Sequence, residues 1–231
     1  MGFNSLIVVS LEPLLKMKKA IFVIMFSCLS CALNAQFTVE WAFSEASYST
    51  IPFNFYKNCT FEQTYTIENP GYVMPDRLYQ NFQLTEYFLA RENHEATSAL
   101  RMKFKLKNGL DLGLVDFGGA LEWMTYDLIT VNKNNEILDA LEAGIIVGWV
   151  MPKQFRITAD EKIIVMQLVT TETTSVQIAG FSKVTGYITE TVYHIDASGK
   201  FVEESKKQCT GIRTFTSEQL ENPSIDLWDL Y

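Results

Sequence analysis

The chain has 231 residues and is acidic: 19 lysines and arginines stand against 27 aspartates and glutamates, a net charge of −8. An acidic surface repels nucleic-acid phosphates, and no basic run interrupts it, so we expect no nucleic-acid partner. The length is typical of a single domain with enough chain to bury a full core.

The N-terminus predicts export. A basic patch at Lys16, Lys18 and Lys19 precedes an apolar stretch from Ala20 to Leu33, and Asn-Ala-Gln follows at 34–36. This is the arrangement of a secretory signal peptide. The apolar stretch has 14 residues, whereas a spanning helix needs about 20, so we expect no stable membrane span after cleavage. An N-terminal anchor that stays in place is the alternative.

Met17 is the expected start of translation, because residues 1–16 add an apolar patch that no export signal requires. Three forms of processing then fit the sequence: cleavage after Ala35, cleavage after Ala32, or lipid attachment at Cys28 or Cys31.

Residues 1–35 are thus an upstream extension plus a signal peptide, and 36–231 form a single β-rich domain. Loss of three lysines and one glutamate changes its net charge to −10. The signal places this domain in the periplasm or outside the cell, with a lipid-anchored form in the outer membrane as an alternative. Because these compartments are oxidising, the two remaining cysteines, Cys59 and Cys209, predict a disulfide. Two buried free thiols are the other interpretation.

Alternation of apolar and polar residues with a period of two predicts β-strands over most of the domain. The first two predicted strands are 37–43 and 61–67, and longer strands rich in Val, Ile, Thr and Tyr follow at 123–131, 162–171 and 184–195.

Four hairpins connect these strands. Asn108-Gly109 lies between two alternating segments and predicts a type I′ turn, which needs a positive φ at both central residues. Three more have a polar turn between an apolar strand end and an apolar restart: Val131 to Ile137, Ile157 to Ile163, and Ile195 to Phe201.

The predicted fold class is mainly β, an antiparallel meander of roughly ten or more strands that forms a two-sheet sandwich or an open barrel. One short helix is expected near 76–90, where Asp76 can act as the cap; an α+β fold is the alternative. The tail ends in Leu227-Trp228-Asp229-Leu230-Tyr231. Its large apolar side chains predict that it packs against the body of the domain.

One segment suggests catalysis. Leu114-Val115-Asp116-Phe117-Gly118-Gly119-Ala120 resembles the Asp-Thr-Gly-Ala loop of retropepsin-like aspartic proteases, although Phe117 replaces the Thr or Ser of that family. The resemblance implies that Asp116 is a catalytic carboxyl, with the second one supplied by a homodimer. Glu122 is a further candidate carboxylate nearby. A strand end with a solvated Asp116 is the structural alternative.

Histidine chemistry has little support. His194 lies on a predicted strand, opposite in parity to Tyr193 and Ile195, and no Gly-x-Ser-x-Gly elbow accompanies it. His194 is the further catalytic candidate. Spacings that would predict a metal, phosphate or cofactor site are lacking, so none is expected.

Three tryptophans are candidates for ligand binding. Trp41, Trp123 and Trp149 could form a stacking platform for a sugar or a peptide, although burial in the core is the usual fate of tryptophan in such folds.

The signal that ends in Asn34-Ala35-Gln36 and the hairpin at 193–202, Tyr-His-Ile-Asp-Ala-Ser-Gly-Lys-Phe-Val, make the chain similar to small secreted or envelope proteins of unknown function from Gram-negative gut bacteria. The resemblance implies export and no particular activity. We therefore favour a non-enzymatic binding or structural module of the envelope with a protein or glycan partner. A hydrolase acting on peptide or glycan, and a carrier of an apolar ligand, are the alternatives.

Overall fold

The computed structural model describes residues 38–58, 65–67, 97–119, 123–147, 150–171, 183–216, 219 and 226–231. Several predictions fall outside these residues and stay predictions: the signal peptide, the helix near 76–90, and the roles of Cys59, Glu122 and Trp149.

The described chain begins with helix α1 (Val39–Glu45), has short 3-10 turns at Tyr56–Asn58 and Leu227–Leu230, and is otherwise built from strands. The strands are β1 (Tyr48–Ser49), β2 (Phe53–Asn54), β3 (Tyr65–Ile67), β4 (Thr97–Lys105), β5 (Asp111–Gly119), β6 (Trp123–Val131), β7 (Ile137–Val147), β8 (Val150–Ile157), β9 (Ile163–Thr170), β10 (Lys183–Ile195), β11 (Phe201–Gln208) and β12 (Arg213–Thr216). No helix in these ranges is both long and apolar enough to cross a membrane.

These strands form one sheet in the order β1-β4-β5-β6-β7-β8-β9-β10-β11, with β2, β3 and β12 paired to β8, β4 and β10. Their pairing is antiparallel except between β1 and β4. The mainly β meander is thus confirmed. Within the described ranges it is one continuous sheet that does not close into a barrel, rather than two separate sheets.

Strand β8 changes partner along its length. Its first half pairs with β7, with Val150 opposite Val147 and Lys153 opposite Ile145. At its far end, Arg156 and Ile157 pair instead with β2. Because β9 occupies the other edge of β8 from Lys153 to Ile157, β2 takes the position that β7 leaves.

The three hairpins predicted from polar turns are confirmed at their predicted bounds. Strand β6 ends at Val131 and β7 begins at Ile137, and the other two turns join Ile157 to Ile163 and Ile195 to Phe201.

All four hairpins close in the same way. The first turn residue donates its N–H to the carbonyl of the residue four positions later, at 2.9 to 3.0 Å, and its own carbonyl accepts from the residue three positions later. The fourth residue in each turn has a positive φ: Gly109 (87°), Asn135 (60°), Glu161 (67°) and Gly199 (85°). This is a type I turn followed by a left-handed residue, the three-residue hairpin loop.

The type I′ turn predicted at Asn108-Gly109 is therefore wrong, although the hairpin itself is confirmed. Of these two residues only Gly109 has a positive φ. The side chain of Asn108 instead accepts the N–H of Leu110 at 3.0 Å, an Asx-type bond that favours a type I turn. Asn132 and Asp196 start their turns with similar side-chain bonds.

The four turns lie at one end of the sheet, because two strands separate each turn from the next; we call this the turn end. Turns that are distant in strand order touch there. The hydroxyl of Thr130 on β6 donates to the Gly199 carbonyl at 2.6 Å, and Asp139 on β7 accepts the N–H of Phe201 at 2.9 Å. The sheet must therefore curl to bring β10 and β11 over β6 and β7.

The inner face of the curled sheet encloses the central core, to which alternate residues of β4 to β9 contribute. Phenylalanines fill its middle: Phe55 stacks on Phe155 with ring centroids 4.9 Å apart, and Phe53 meets the edge of Phe104 at 5.2 Å. Phe55, Phe104 and Phe155 are fully buried.

Helix α1 covers the outer face of β4 to β6. The sequence predicted a strand at 37–43, and this prediction is wrong for residues 39–43, which are helical. The Thr38 hydroxyl caps the helix by accepting the N–H of Trp41 at 3.1 Å. Ala42, Phe43 and Ala46 then pack on the sheet. A side chain at Gly113 of β5 would lie 2.5 Å from the Phe43 ring, so the glycine provides space for it.

The C-terminal segment covers the outer face of β9 and β10. Leu227 is buried there with Phe215 of β12 and with Met166, Leu168, Val184 and Ile188. The prediction that the apolar tail packs against the body of the domain is confirmed for 226–230.

Replacing Gly199 by alanine should destabilise the fold more than the same change at Gly109. Both residues have the same left-handed backbone, which costs an alanine about 1 kcal/mol. At Gly199 the new Cβ would also lie 2.5 Å from Leu138 Cδ1, whereas nothing lies within 4 Å at Gly109. We expect an extra loss of about 1–2 kcal/mol for Gly199→Ala in urea unfolding. Equal losses would mean that the turn does not pack on β7.

Candidate functional site

Three buried carboxylates of the described chain are held by cations. Glu142 on β7 accepts from Lys153 on β8 at 2.6 Å, and the side chains are 5% and 11% exposed. Asp116 pairs with Arg101, and Asp226 pairs with Arg156. Such pairs satisfy carboxylates that would otherwise be costly to bury, but they also neutralise them.

Asp116 does not lie in a loop. It is in the middle of β5, opposite Ala99 and Tyr126, and β5 continues through Gly118 to Gly119. From Leu114 to Gly119, the segment that resembles a protease loop therefore has extended strand conformation. The alternative of a solvated strand end is also wrong, because Asp116 is only 3% exposed.

The environment of Asp116 combines burial with a close cation. One carboxylate oxygen receives Arg101 Nη2 at 2.5 Å and Nε at 2.7 Å. Burial raises the pKa of Asp116, while the hydrogen bonds and the charge of Arg101 act in the opposite direction. The raised pKa is a property of acid catalysts, but this carboxylate already has a fixed partner.

His194 lies on β10, which is five places from β5 in the sheet order. Its Nδ1 is 3.3 Å from a carboxylate oxygen of Glu204 on β11, and its side chain is 43% exposed. As predicted from parity, Tyr193 and Ile195 turn the other way, onto the central core. The structure therefore does not bring His194 and Asp116 together on neighbouring strands.

Trp41, in α1, is partly buried against the core that the helix covers, Trp123 is part of β6, and Trp149 is outside the described ranges. The tryptophan platform therefore stays a prediction. The aromatic contact that the sequence analysis missed is at Trp228, whose ring lies 3.9 Å from the Arg156 guanidinium carbon.

Cys209, just after β11, is partly buried and forms no disulfide with a described residue. Burial is the main factor that raises its pKa, so the thiol stays protonated and is a poor nucleophile. Because Cys59 is outside the described residues, the disulfide stays a prediction.

A shallow, open recess lies where β2 joins β8. This groove has a volume of about 360 Å³ and is lined by Pro52, Phe53, Asn54, Lys57, Asn58, Arg156, Ile157 and Thr158. Its floor is apolar, from Phe53 and Ile157, and its rim is polar. That combination is typical of small-ligand sites, and the volume is at the low end of their range.

Local hydrogen bonds fix the rim of the groove. Asn54 accepts the N–H of Lys57 at 3.3 Å through its side chain, and its carbonyl accepts from the Asn58 amide at 2.7 Å. These bonds hold the 3-10 turn against β2, so that Lys57 and Asn58 project from a fixed backbone. On the opposite side, Thr158 begins the β8–β9 turn.

Arg156 links the groove to the C-terminal segment. Its Nη2 donates to Asp226 at 2.6 Å, and Trp228 stacks on its guanidinium. Asp226 also caps the last 3-10 turn by accepting the N–H of Trp228 at 3.1 Å. Nε of Arg156 is buried without a hydrogen-bond partner among the described residues. Arg156 and Asp226 are 70 positions apart, and no local sequence pattern predicts that they form an ion pair.

No cluster of three metal-ligating side chains occurs in the described ranges. No protein-family model matches the chain, and neither curated proteins nor solved structures give a match.

The pH dependence of stability should report the raised pKa of Asp116. A carboxyl with a higher pKa in the folded chain binds its proton more tightly there than in the unfolded chain. Its contribution to stability is thus greatest below the ordinary value of 3.8 and declines as pH rises through the folded pKa. In urea unfolding from pH 3.5 upward, the wild type should lose stability relative to Asp116→Asn. A relative gain would show that the Arg101 ion pair outweighs burial.

Proposed function

We propose that the chain is an exported, non-enzymatic binding module of the cell envelope, and that its partner engages the groove beside β2 and β8. The observation that carries this proposal is the contrast between two sets of polar groups. Three of the four buried carboxylates among the described residues, Asp116, Glu142 and Asp226, are neutralised by fixed cations, whereas the groove presents polar groups on a fixed backbone. Fixed, unreactive polar groups suit recognition better than proton transfer.

The lining of the groove favours a carboxylate on the partner. Lys57 is an exposed cation that forms no ion pair with a described residue. The Asn58 side-chain amide donates one N–H to the Asn54 carbonyl and has a second N–H for a partner. The Thr158 hydroxyl is occupied by Asp160 and Lys162 of its own turn. A partner carboxylate beside Lys57 would form a charge-assisted hydrogen bond. It could belong to an acidic sugar of a glycan or to an Asp or Glu side chain of a protein.

A hydrolase is the second candidate, supported by the raised pKa of the buried Asp116. It is the weaker one, because Asp116 lies apart from the groove lining and keeps Arg101 as a partner. The carrier of an apolar ligand has less support, since stacked phenylalanines fill the central core.

Export can be tested by the intact mass of the protein expressed from Met17 in a Gram-negative host. We expect a periplasmic or secreted chain that begins at Gln36, or at Leu33 if cleavage follows Ala32. A lipid adduct on Cys28 or Cys31 would instead support the anchored form. Retention of residues 17–35 in a cytoplasmic product would refute export. Labelling under non-reducing conditions reports the disulfide in the same sample, and two free thiols would reject it.

Ligand binding can be tested by backbone amide NMR titration with three probes: N-acetylneuraminate, N-acetylglucosamine and a blocked glutamate peptide. We expect shifts at 54–58 and 156–158 with an acidic probe and none with the neutral sugar. The acidic sugar and the peptide separate a glycan from a protein partner. Lys57→Ala should weaken binding about tenfold, as loss of a charge-assisted bond does. Lys133→Ala, an exposed lysine on the β6–β7 turn, is the matched control. Equal shifts with all three probes, or none at the groove, would reject the proposal.

A further inference from the structure

The lining of the groove beside β2 and β8 contains two cations, of which only one is uncompensated among the described residues. The charge of Arg156 is cancelled by Asp226, whose carboxylate oxygen lies 2.6 Å from Nη2. Asp226 is only 3% exposed, so it stays with its partner. Lys57 therefore supplies the net charge of the groove, and a single positive charge matches one carboxylate better than a dianion.

Arg156 keeps hydrogen-bond donors after this neutralisation. Asp226 accepts from Nη2, and neither Nη1 nor Nε donates to a described residue. Nε is buried, but 33% of the side chain is exposed, and Arg156 lines the groove. The stacked ring of Trp228, 3.9 Å from the guanidinium carbon, fixes the plane of these donors. A guanidinium in this state is a directional donor for neutral oxygens, such as those of hydroxyl groups.

The rest of the lining also suits a ligand that has hydroxyl groups and a ring. The side-chain oxygens of Asn54 and Thr158 are engaged by neighbouring residues. Asn58 has a second amide N–H and a side-chain oxygen, so it can both donate to a hydroxyl and accept from one. Pro52 is exposed beside the Phe53 floor and gives the C–H groups of a ring an apolar surface.

These groups separate two kinds of partner. The side chain of an Asp or Glu in a protein has a carboxylate but no hydroxyl groups, so it uses the cation and leaves the donors of Arg156 and Asn58 without a neutral oxygen. A sugar acid has a carboxylate, several hydroxyl groups and a ring with C–H faces, and it uses the whole lining. A volume of about 360 Å³ accommodates one such sugar residue.

We propose that the groove binds one sugar-acid residue of an acidic glycan, with the sugar carboxylate at Lys57 and its hydroxyl oxygens at Arg156 and Asn58. This inference rests on the proposed function of the groove, and it names the partner as a glycan instead of an acidic protein. Arg156 is a binding residue, whereas Asp226 and Trp228 are positioning residues that act through its guanidinium.

The test compares three probes by amide NMR titration, read at residues 54–58 and 156–158. Methyl glucuronide has the carboxylate and the hydroxyl groups, cyclohexanecarboxylate has only the carboxylate, and methyl glucoside has only the hydroxyl groups. We expect the glucuronide to bind about tenfold more tightly than either of the other two, since only it satisfies both kinds of group.

Two variants assign the two parts of the preference. Lys57→Ala should reduce the affinity for the glucuronide to that for the glucoside. Arg156→Gln with Asp226→Asn replaces the ion pair by two neutral amides and leaves the net charge of the groove unchanged. It should reduce the affinity for the glucuronide to near that for cyclohexanecarboxylate, whose own affinity should not change.

Circular dichroism shows whether the double variant keeps the fold. If it does not, Asn58→Ala decides, because it should weaken the glucuronide several-fold and leave cyclohexanecarboxylate unaffected. The matched control is Asn134→Ala, an exposed asparagine on the β6–β7 turn, which should bind all probes like the wild type.

The outcomes separate this inference from the proposed function on which it rests. Equal affinities for the glucuronide and cyclohexanecarboxylate, both lowered by Lys57→Ala, would overturn the glycan assignment and leave a carboxylate site in the groove. A folded double variant that keeps the full preference for the glucuronide would also overturn it. If no probe shifted the amides of the groove, both proposals would fall.

Discussion

The fold depends on a backbone constraint at four points: the fourth residue of each hairpin turn must adopt a positive φ. This requirement fixes the turn type, and the turn type fixes the register of the paired strands. With that register, Leu112, Leu114 and Leu128 face the central core, while Val115 and Ile129 face α1. A shift by one residue in any hairpin would exchange the two faces. The central core and the packing of α1 on the outer face therefore depend on the same few turn residues.

The sequence predicts the hairpins well because each turn has local signals. Three turns begin with a polar residue, Asn132, Thr158 or Asp196, and the fourth contains Asn108-Gly109. It fails at α1 because two periodicities coincide there. Val39, Trp41 and Phe43 alternate as in a strand, but Val39, Ala42, Phe43 and Ala46 also follow a helical spacing. The structure buries Ala42 and Ala46, which are small and easily overlooked as core residues. The turn at Gly109 was misjudged because Asn-Gly fits two turn types, and the Asx bond of Asn108 decides between them.

Local sequence patterns could not predict the candidate site. Asp116 was identified, but its partner Arg101 was not, because a β-bulge between Leu100 and Met102 shifts the register beside it. The groove brings together residues around Asn54 and Arg156, which are about a hundred positions apart in the sequence. The sequence shows which side chains are charged, but it does not show which of them form ion pairs. That distinction depends on the three-dimensional pairing, and it separates the binding proposal from the hydrolase alternative.

The contact between Arg156 and the segment at 226–228 has a consequence for biosynthesis. One wall of the groove comes from β2, near the start of the domain, and the guanidinium in the other wall is oriented by Asp226 and Trp228. A ribosome must therefore translate the chain at least as far as Trp228 before this recess has its final shape. During synthesis the nascent protein therefore lacks a finished recess. If the recess binds a partner as proposed, binding requires that the C-terminal segment has emerged.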